Sequence, residues 1–183
     1  MTCLLRALTA CAFLTLAGCS PRFDWREVRS PEGFAVVLPG RPQTVVRDVE
    51  LDGIKAQMSM TSTGIGPTVF AVGVARLPPA TVADASARQR SIALFRDALV
   101  RNIGGDQPVR RSAAPGLDSG GQPLLLSEAI EATGRLPNGQ NSRLAARFFI
   151  VDDRLFQIVA LGAEGEIPPE ALDTFFTSFR LIR

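Results

Sequence analysis

Apolar and polar residues alternate along most of this chain, and the alternation gives way to a helical period twice. A short strand is expected at Trp25 to Val28, then a turn through Ser30-Pro31-Glu32-Gly33, then an extended run with Phe34, Val36 and Leu38 on one side. Pro39 and Pro42 end that run. In "VRDVELDGIKAQMSMTS", Val49 and Leu51 alternate on one arm and Ile54, Ala56, Met58 and Met60 on the other, so Asp52-Gly53 is expected to turn a hairpin. "TVFAVGVARLP" sets Phe70, Val72 and Val74 against the small Ala71, Gly73 and Ala75, as in a strand covered on both sides, and Pro78-Pro79 ends it.

The first helical period runs from Asp84, a candidate N-cap, to Ile103. Ile92, Phe95, Leu99 and Ile103 recur at its spacing, and Gly104-Gly105 supplies the stop. A glycine-rich loop, Gly116 to Gln122, leads to three more strand-like runs: Leu124 to Thr133, Ser142 to Val151 and Leu155 to Gly162. Asn138-Gly139 and Asp152-Asp153 turn them. The second helical stretch opens at Pro168-Pro169 and carries Leu172, Phe175, Phe176 and Phe179 on one side, a core face; Leu181 follows in extended form. This order predicts an α+β fold, a mostly antiparallel sheet covered by two helices.

The leader changes the picture. Arg6 precedes an apolar run, Ala7 to Leu16, of about ten residues, far short of the roughly 20 that span a membrane. That is the profile of a signal peptide. Leu16-Ala17-Gly18-Cys19 closely resembles the lipobox of bacterial lipoproteins. The resemblance implies cleavage between Gly18 and Cys19, a diacylglycerol thioether on Cys19 and an acyl chain on its new amino group. It also implies attachment to a membrane, since two or three chains hold a protein where one does not. Ser20 replaces the aspartate that signals inner-membrane retention in Gram-negative lipoproteins, which favours the periplasmic face of the outer membrane.

The organisation expected is therefore a signal peptide at 1–18, a lipidated cysteine and short tether at 19–24, and one domain at 25–183. Cys3, Cys11 and Cys19 all fall in the leader or at the lipid site, which leaves the domain no thiol. Removal of 18 of 183 residues leaves 165, enough to bury a core without staples. Loss of Arg6 leaves 19 basic against 18 acidic residues, which argues against a general attraction to nucleic acid.

"WREVRSPEGFAVVLP", "RFFIVDDRLFQIVALG" and "FFTSFRL" resemble the PsbP-like group, which includes DcrB-type bacterial lipoproteins, over residues 25 to 182. The resemblance implies an extracytoplasmic, non-enzymatic domain that binds or supports envelope protein partners. Phe156 stands where relatives often carry tyrosine, so a role of that hydroxyl is missing here.

Residue types for catalysis are sparse. Asp118-Ser119-Gly120-Gly121 imitates a serine-protease motif, but the chain has no histidine, and its one lysine, Lys55, lies far away. Asp48, Glu50 and Asp52 imitate the start of a calcium loop whose twelfth position is Ser59 instead of glutamate. Without histidine or a free cysteine, transition metals lack their usual ligands, and no metal or other cofactor is expected besides the lipid on Cys19. Glu164 and Glu166, with Asp152 and Asp153, are where an enzyme reading would look.

Arginines concentrate at 76 to 111, where Arg76, Arg88, Arg90, Arg96, Arg101, Arg110 and Arg111 stand against Asp84, Asp97 and Asp106. On the helix, Arg90, Leu94, Asp97 and Arg101 fall together opposite Phe95 and Leu99. They form either a docking face for an acidic partner or anionic headgroups, or a solvated face with an Asp97–Arg101 pair worth a few tenths of a kcal/mol. The expected function is that of a membrane-anchored, non-enzymatic module that binds proteins or supports assembly in the envelope. The alternative is a carrier or sensor of a small apolar or lipid ligand held between sheet and helix.

Overall fold

Pro39, Gly40 and Pro42 divide the architecture. The computed structural model describes residues 22–51, 54–105, 110–114, 116–136 and 138–182. β1 (Trp25–Ser30) and β2 (Phe34–Pro39) pair as a hairpin, turned at Gly33, whose φ of +79° suits glycine. The prolines that follow cannot donate to a ladder, and Gly40, at φ +110°, turns its N–H back to the Asp24 carbonyl at 2.7 Å. The chain leaves that sheet there and begins another with β3 (Gln43–Leu51), β4 (Ile54–Ile65) and β5 (Thr68–Arg76).

From β5 the chain crosses through α1 (Pro79–Ala83) and α2 (Ala85–Asn102) to the far edge, β6 (Arg110–Ser112). It then winds back through β7 (Leu124–Arg135), β8 (Asn141–Val151) and β9 (Arg154–Ala163), which brings β9 beside β5. The large sheet has the order β3-β4-β5-β9-β8-β7-β6, with every pair antiparallel. α3 (Pro169–Ser178) and β10 (Arg180–Leu181) finish the fold, and β10 joins β2. The small sheet has the order β1-β2-β10.

The chain is thus α+β, with a correction. The expected single sheet under two helices is two antiparallel sheets and three helices among the described residues. The division falls at Pro39–Pro42, and β10 adds a third strand to the small sheet by pairing with β2, a contact between the two ends of the domain that no local pattern announces. Pro78-Pro79 ends β5 and also opens α1, because Pro79 at the first helical turn has no N–H to leave unsatisfied.

Two apolar layers lie on opposite faces of the large sheet. Phe70, Val72 and Val74 of β5 join Phe149, Phe156 and Ile158 beneath the small sheet and α3, which contribute Phe34, Val36, Leu38, Phe175, Phe176 and Phe179. On the opposite face Ala75, Leu144, Phe148 and Leu155 pack under Ile92, Phe95, Val100 and Ile103 from α2 and its C-terminus. β5 is therefore covered on both sides, as its large-and-small alternation predicts. Gly73 serves that second layer, since a side chain there would start 2.2 Å from the Met58 methyl. The Asp52-Gly53 turn lies outside the described residues, but the ladder runs without interruption from Gln43 opposite Ser62 to Leu51 opposite Ile54.

Candidate functional site

Arg90, Leu94, Asp97 and Arg101 all lie on α2, which is fixed at its start, middle and end. Asp84 is the N-cap: its carboxylate accepts from the Ala87 N–H at 2.9 Å and from Ser86 Oγ at 2.6 Å. These bonds, the Ser86 hydroxyl first, hold the Asp84 carboxyl below the usual aspartate range. In the middle, Arg96 reaches Glu128 of β7 at 3.1 Å, and Glu128 also accepts from Arg111 of β6 at 2.6 Å. At the end, Gly104, at φ +59°, donates to the Arg101 carbonyl, and Gly105 donates to that of Val100.

The expected Asp97–Arg101 pair is not formed. Asp97 accepts instead from Arg96 Nε at 2.8 Å. Arg96 is only 13% exposed, so burial works against its charge, but the hydrogen bonds to Asp97 and Glu128 outweigh burial and raise its pKa. Arg101 is left exposed without a partner among the described residues. Arg90 is exposed as well; it donates to Ser86 Oγ at 2.9 Å, and its charge helps to lower the Asp84 pKa. At 1.5 Å per residue the two backbone positions are about 16 Å apart along the helix, with half-buried Leu94 and Asp97 between them. A rigid helix thus presents two exposed guanidinium groups, Arg90 near the Asp84 carboxylate and Arg101 unpaired among the described residues, with a partly exposed leucine between them.

A second cationic feature lies on the opposite face of the sheet. Alternation along β8 sends Ala145, Arg147 and Phe149 toward α3, so that a charged residue stands where an apolar one is usual. The Arg147 guanidinium lies 4.5 Å from the Phe176 ring centre and donates to the Phe176 carbonyl at 3.2 Å. That carbonyl is among those α3 leaves open at its C-terminus, where a cation is favoured. Burial lowers the Arg147 pKa, and the Asp173 carboxylate opposes that shift. Beside Arg147 is a groove of about 340 Å³, lined by Arg110, Ser112, Glu131, Ala145, Leu172 and Phe176 among others. Arg110 is exposed and without a partner among the described residues, whereas Glu131 accepts from Arg143 at 3.3 Å. The sequence reading missed this groove, though the lone arginine in "LAARFFIV" was its signal.

The other motifs fall apart in space or into structural roles. Asp118 accepts the Gly120 N–H at 3.1 Å through its carboxylate and the Leu181 N–H at 3.0 Å through its carbonyl, which makes it a joint between loop and β10. Lys55 sits 3.9 Å from Glu50 across the β3–β4 hairpin, so Glu50 belongs to a strand pair and not to a calcium loop. Glu164 accepts from Asn141 at 3.4 Å, and Glu166 pairs with Arg22 at 2.6 Å. Among the described residues no group of three or more His, Cys, Asp or Glu is placed to hold a metal, and no helix is long and apolar enough to cross a membrane. Gly18 and Cys19 lie outside the described residues.

No family model matches the chain, and no curated protein matches it. Among solved structures it is similar to the crystal structure of a protein of unknown function from Pseudomonas aeruginosa. The two are 11% identical over 81% of this chain and 86% of that one, with a TM-score of 0.36. A likeness at that level assigns the chain neither a fold family nor a function.

Proposed function

We propose that this chain is a lipid-anchored envelope protein whose PsbP-like domain docks other proteins and catalyses no reaction itself. The observation that carries the reading is the outer face of α2. Its Arg90 and Arg101 are exposed and form no salt bridge among the described residues, Arg90 acting on Asp84 only through its charge, while the helix beneath them is clamped through Arg96, Glu128 and Arg111. Two exposed guanidinium groups flanking a leucine suit an acidic protein surface, because the charges steer the encounter and the leucine supplies apolar contact. The lipobox supports the anchor at Cys19, and a tether ending at Asp24, extending at most about 3.3–3.6 Å per residue, holds the domain near the bilayer. Ser20 favours the periplasmic face of the outer membrane.

A second reading, carriage of a small ligand with an apolar body and an anionic head, is favoured by Arg147 and Arg110 beside the apolar wall of Leu172 and Phe176. Native mass spectrometry of the chain extracted from its own membranes in detergent reads both. The anchor predicts a chain that begins at Cys19 and carries diacylglycerol and an amide-linked acyl chain, with neither present in Cys19→Ser. A water-soluble product retaining the residues before Cys19 overturns it. Carriage predicts a non-covalent adduct that is lost in Arg147→Ala, and a chain without adduct leaves docking as the sole reading.

A further inference from the structure

A β-sheet edge carries unpaired N–H and C=O groups that recruit other strands, and folded proteins blunt such edges by brevity, charge or proline. Among the described residues, three of the four sheet edges are blunted. β6 has three residues and β10 two. β1 carries Arg26, Glu27 and Arg29, with Arg26 paired to Asp24 and Arg29 to Glu27. β3 differs in length: although it carries Arg47, Asp48 and Glu50, it runs for nine residues with no internal proline, glycine or register shift. Among the described residues nothing pairs with its outer side. Val45 and Val46 are 45% and 55% exposed, on opposite faces of the strand.

One of those faces opens into a groove. Val45 lies opposite Met60 and Arg47 opposite Met58 in the ladder. With Val49 and Ser62 these side chains line a cavity of about 360 Å³ that continues the core under α2, into which Met58 is buried. Arg47, exposed at its rim, has no partner among the described residues.

We propose that β3 receives an extended segment of a partner protein as an added antiparallel or parallel strand. Main-chain hydrogen bonds hold the segment, its alternate apolar side chains enter the methionine groove, and an acidic residue faces Arg47. A second copy of the chain fits less well, because an antiparallel self-pair with all nine residues overlapped centres on Arg47 and sets two guanidinium groups directly opposite each other. This surface is separate from the α2 face, and each is tested without the other.

The test places a photoreactive phenylalanine analogue at Val46 of the full chain in its own cells and maps the cross-linked residues by mass spectrometry. The proposal predicts a link to a segment of a second protein that alternates apolar and polar residues and contains an acid. It predicts at least a tenfold lower yield with Arg47→Glu, at unchanged folding by circular dichroism, and recovery when that acid is changed to arginine. Links to a second copy alone, links to lipid alone, no link, or a yield indifferent to Arg47→Glu each overturn it.

Discussion

Replacing Phe70 with alanine is expected to remove about 3–5 kcal/mol of folding stability. The ring is fully buried and stands where three parts of the fold meet. It lies 6.3 Å from Phe23 and 6.1 Å from Trp25 at the N-terminal side of the small sheet, and 5.2 Å from Phe175 of α3, each in edge-to-face geometry. Phe175 is itself fully buried and Val72 fills the next position on that face, so the surroundings have little slack with which to close the cavity. Urea unfolding measures the loss as the midpoint shift multiplied by the slope. A loss below about 1 kcal/mol would mean that β5 does not join the sheets as described. Leu in place of Phe70 keeps most of the apolar volume and is expected to fall between the two.

The second large effect concerns a glycine inside a strand. A side chain at Gly134 of β7 would begin 2.2 Å from the Ile103 carbonyl oxygen and 2.9 Å from the Gly105 nitrogen. Both obstacles are main chain at the end of α2, so no rotamer change relieves them. The approach is equally close at Gly104, where a side chain would start 2.3 Å from the Arg135 carbonyl oxygen. Gly134→Ala is therefore expected to cost about 3 kcal/mol or more, by lifting the helix terminus and with it fully buried Ile103. Gly116→Ala is the control: nothing lies within 4 Å of the added carbon, and the change is expected to stay within about 0.5 kcal/mol. Equal effects in the two variants would contradict the close packing of α2 on β7.

How much of this was legible in the sequence depended on whether each feature is local. Asp84 as N-cap and Gly104-Gly105 as stop were readable because caps act within a few residues. The Phe70, Val72, Val74 alternation was readable because a strand's own period records which of its faces is buried. β6 was not, because Arg110 to Ser112 is short, exposed and without alternation, and exists only through β7. The third strand of the small sheet was hidden in the pairing of Arg180 with Ala35, residues near opposite ends of the domain. β3 begins at Gln43, ahead of the alternation that marked its second half, because an edge strand exposed on both faces needs no apolar period.

The candidate sites follow the same rule. The positions of Arg90 and Arg101 on one helix face came directly from helical spacing. The partner of Asp97 did not, since Arg96 is drawn inward by Glu128, a residue 32 positions away. Arg147 broke the apolar pattern of its strand, but the groove it borders needed α3 to return over the sheet and offer it the Phe176 ring and carbonyl.

The central claim is that the outer face of α2 docks a protein in the envelope. Its most direct test is a photoreactive residue in place of Leu94 in the full chain, cross-linked in its own living cells and compared with the same chain carrying Arg90→Glu and Arg101→Glu. The account predicts one envelope protein captured through an acidic surface, and loss of that capture when both charges are reversed in a folded, membrane-bound chain. Capture of only abundant neighbours and lipid, alike in both chains, would contradict it and leave α2 with a solvated face.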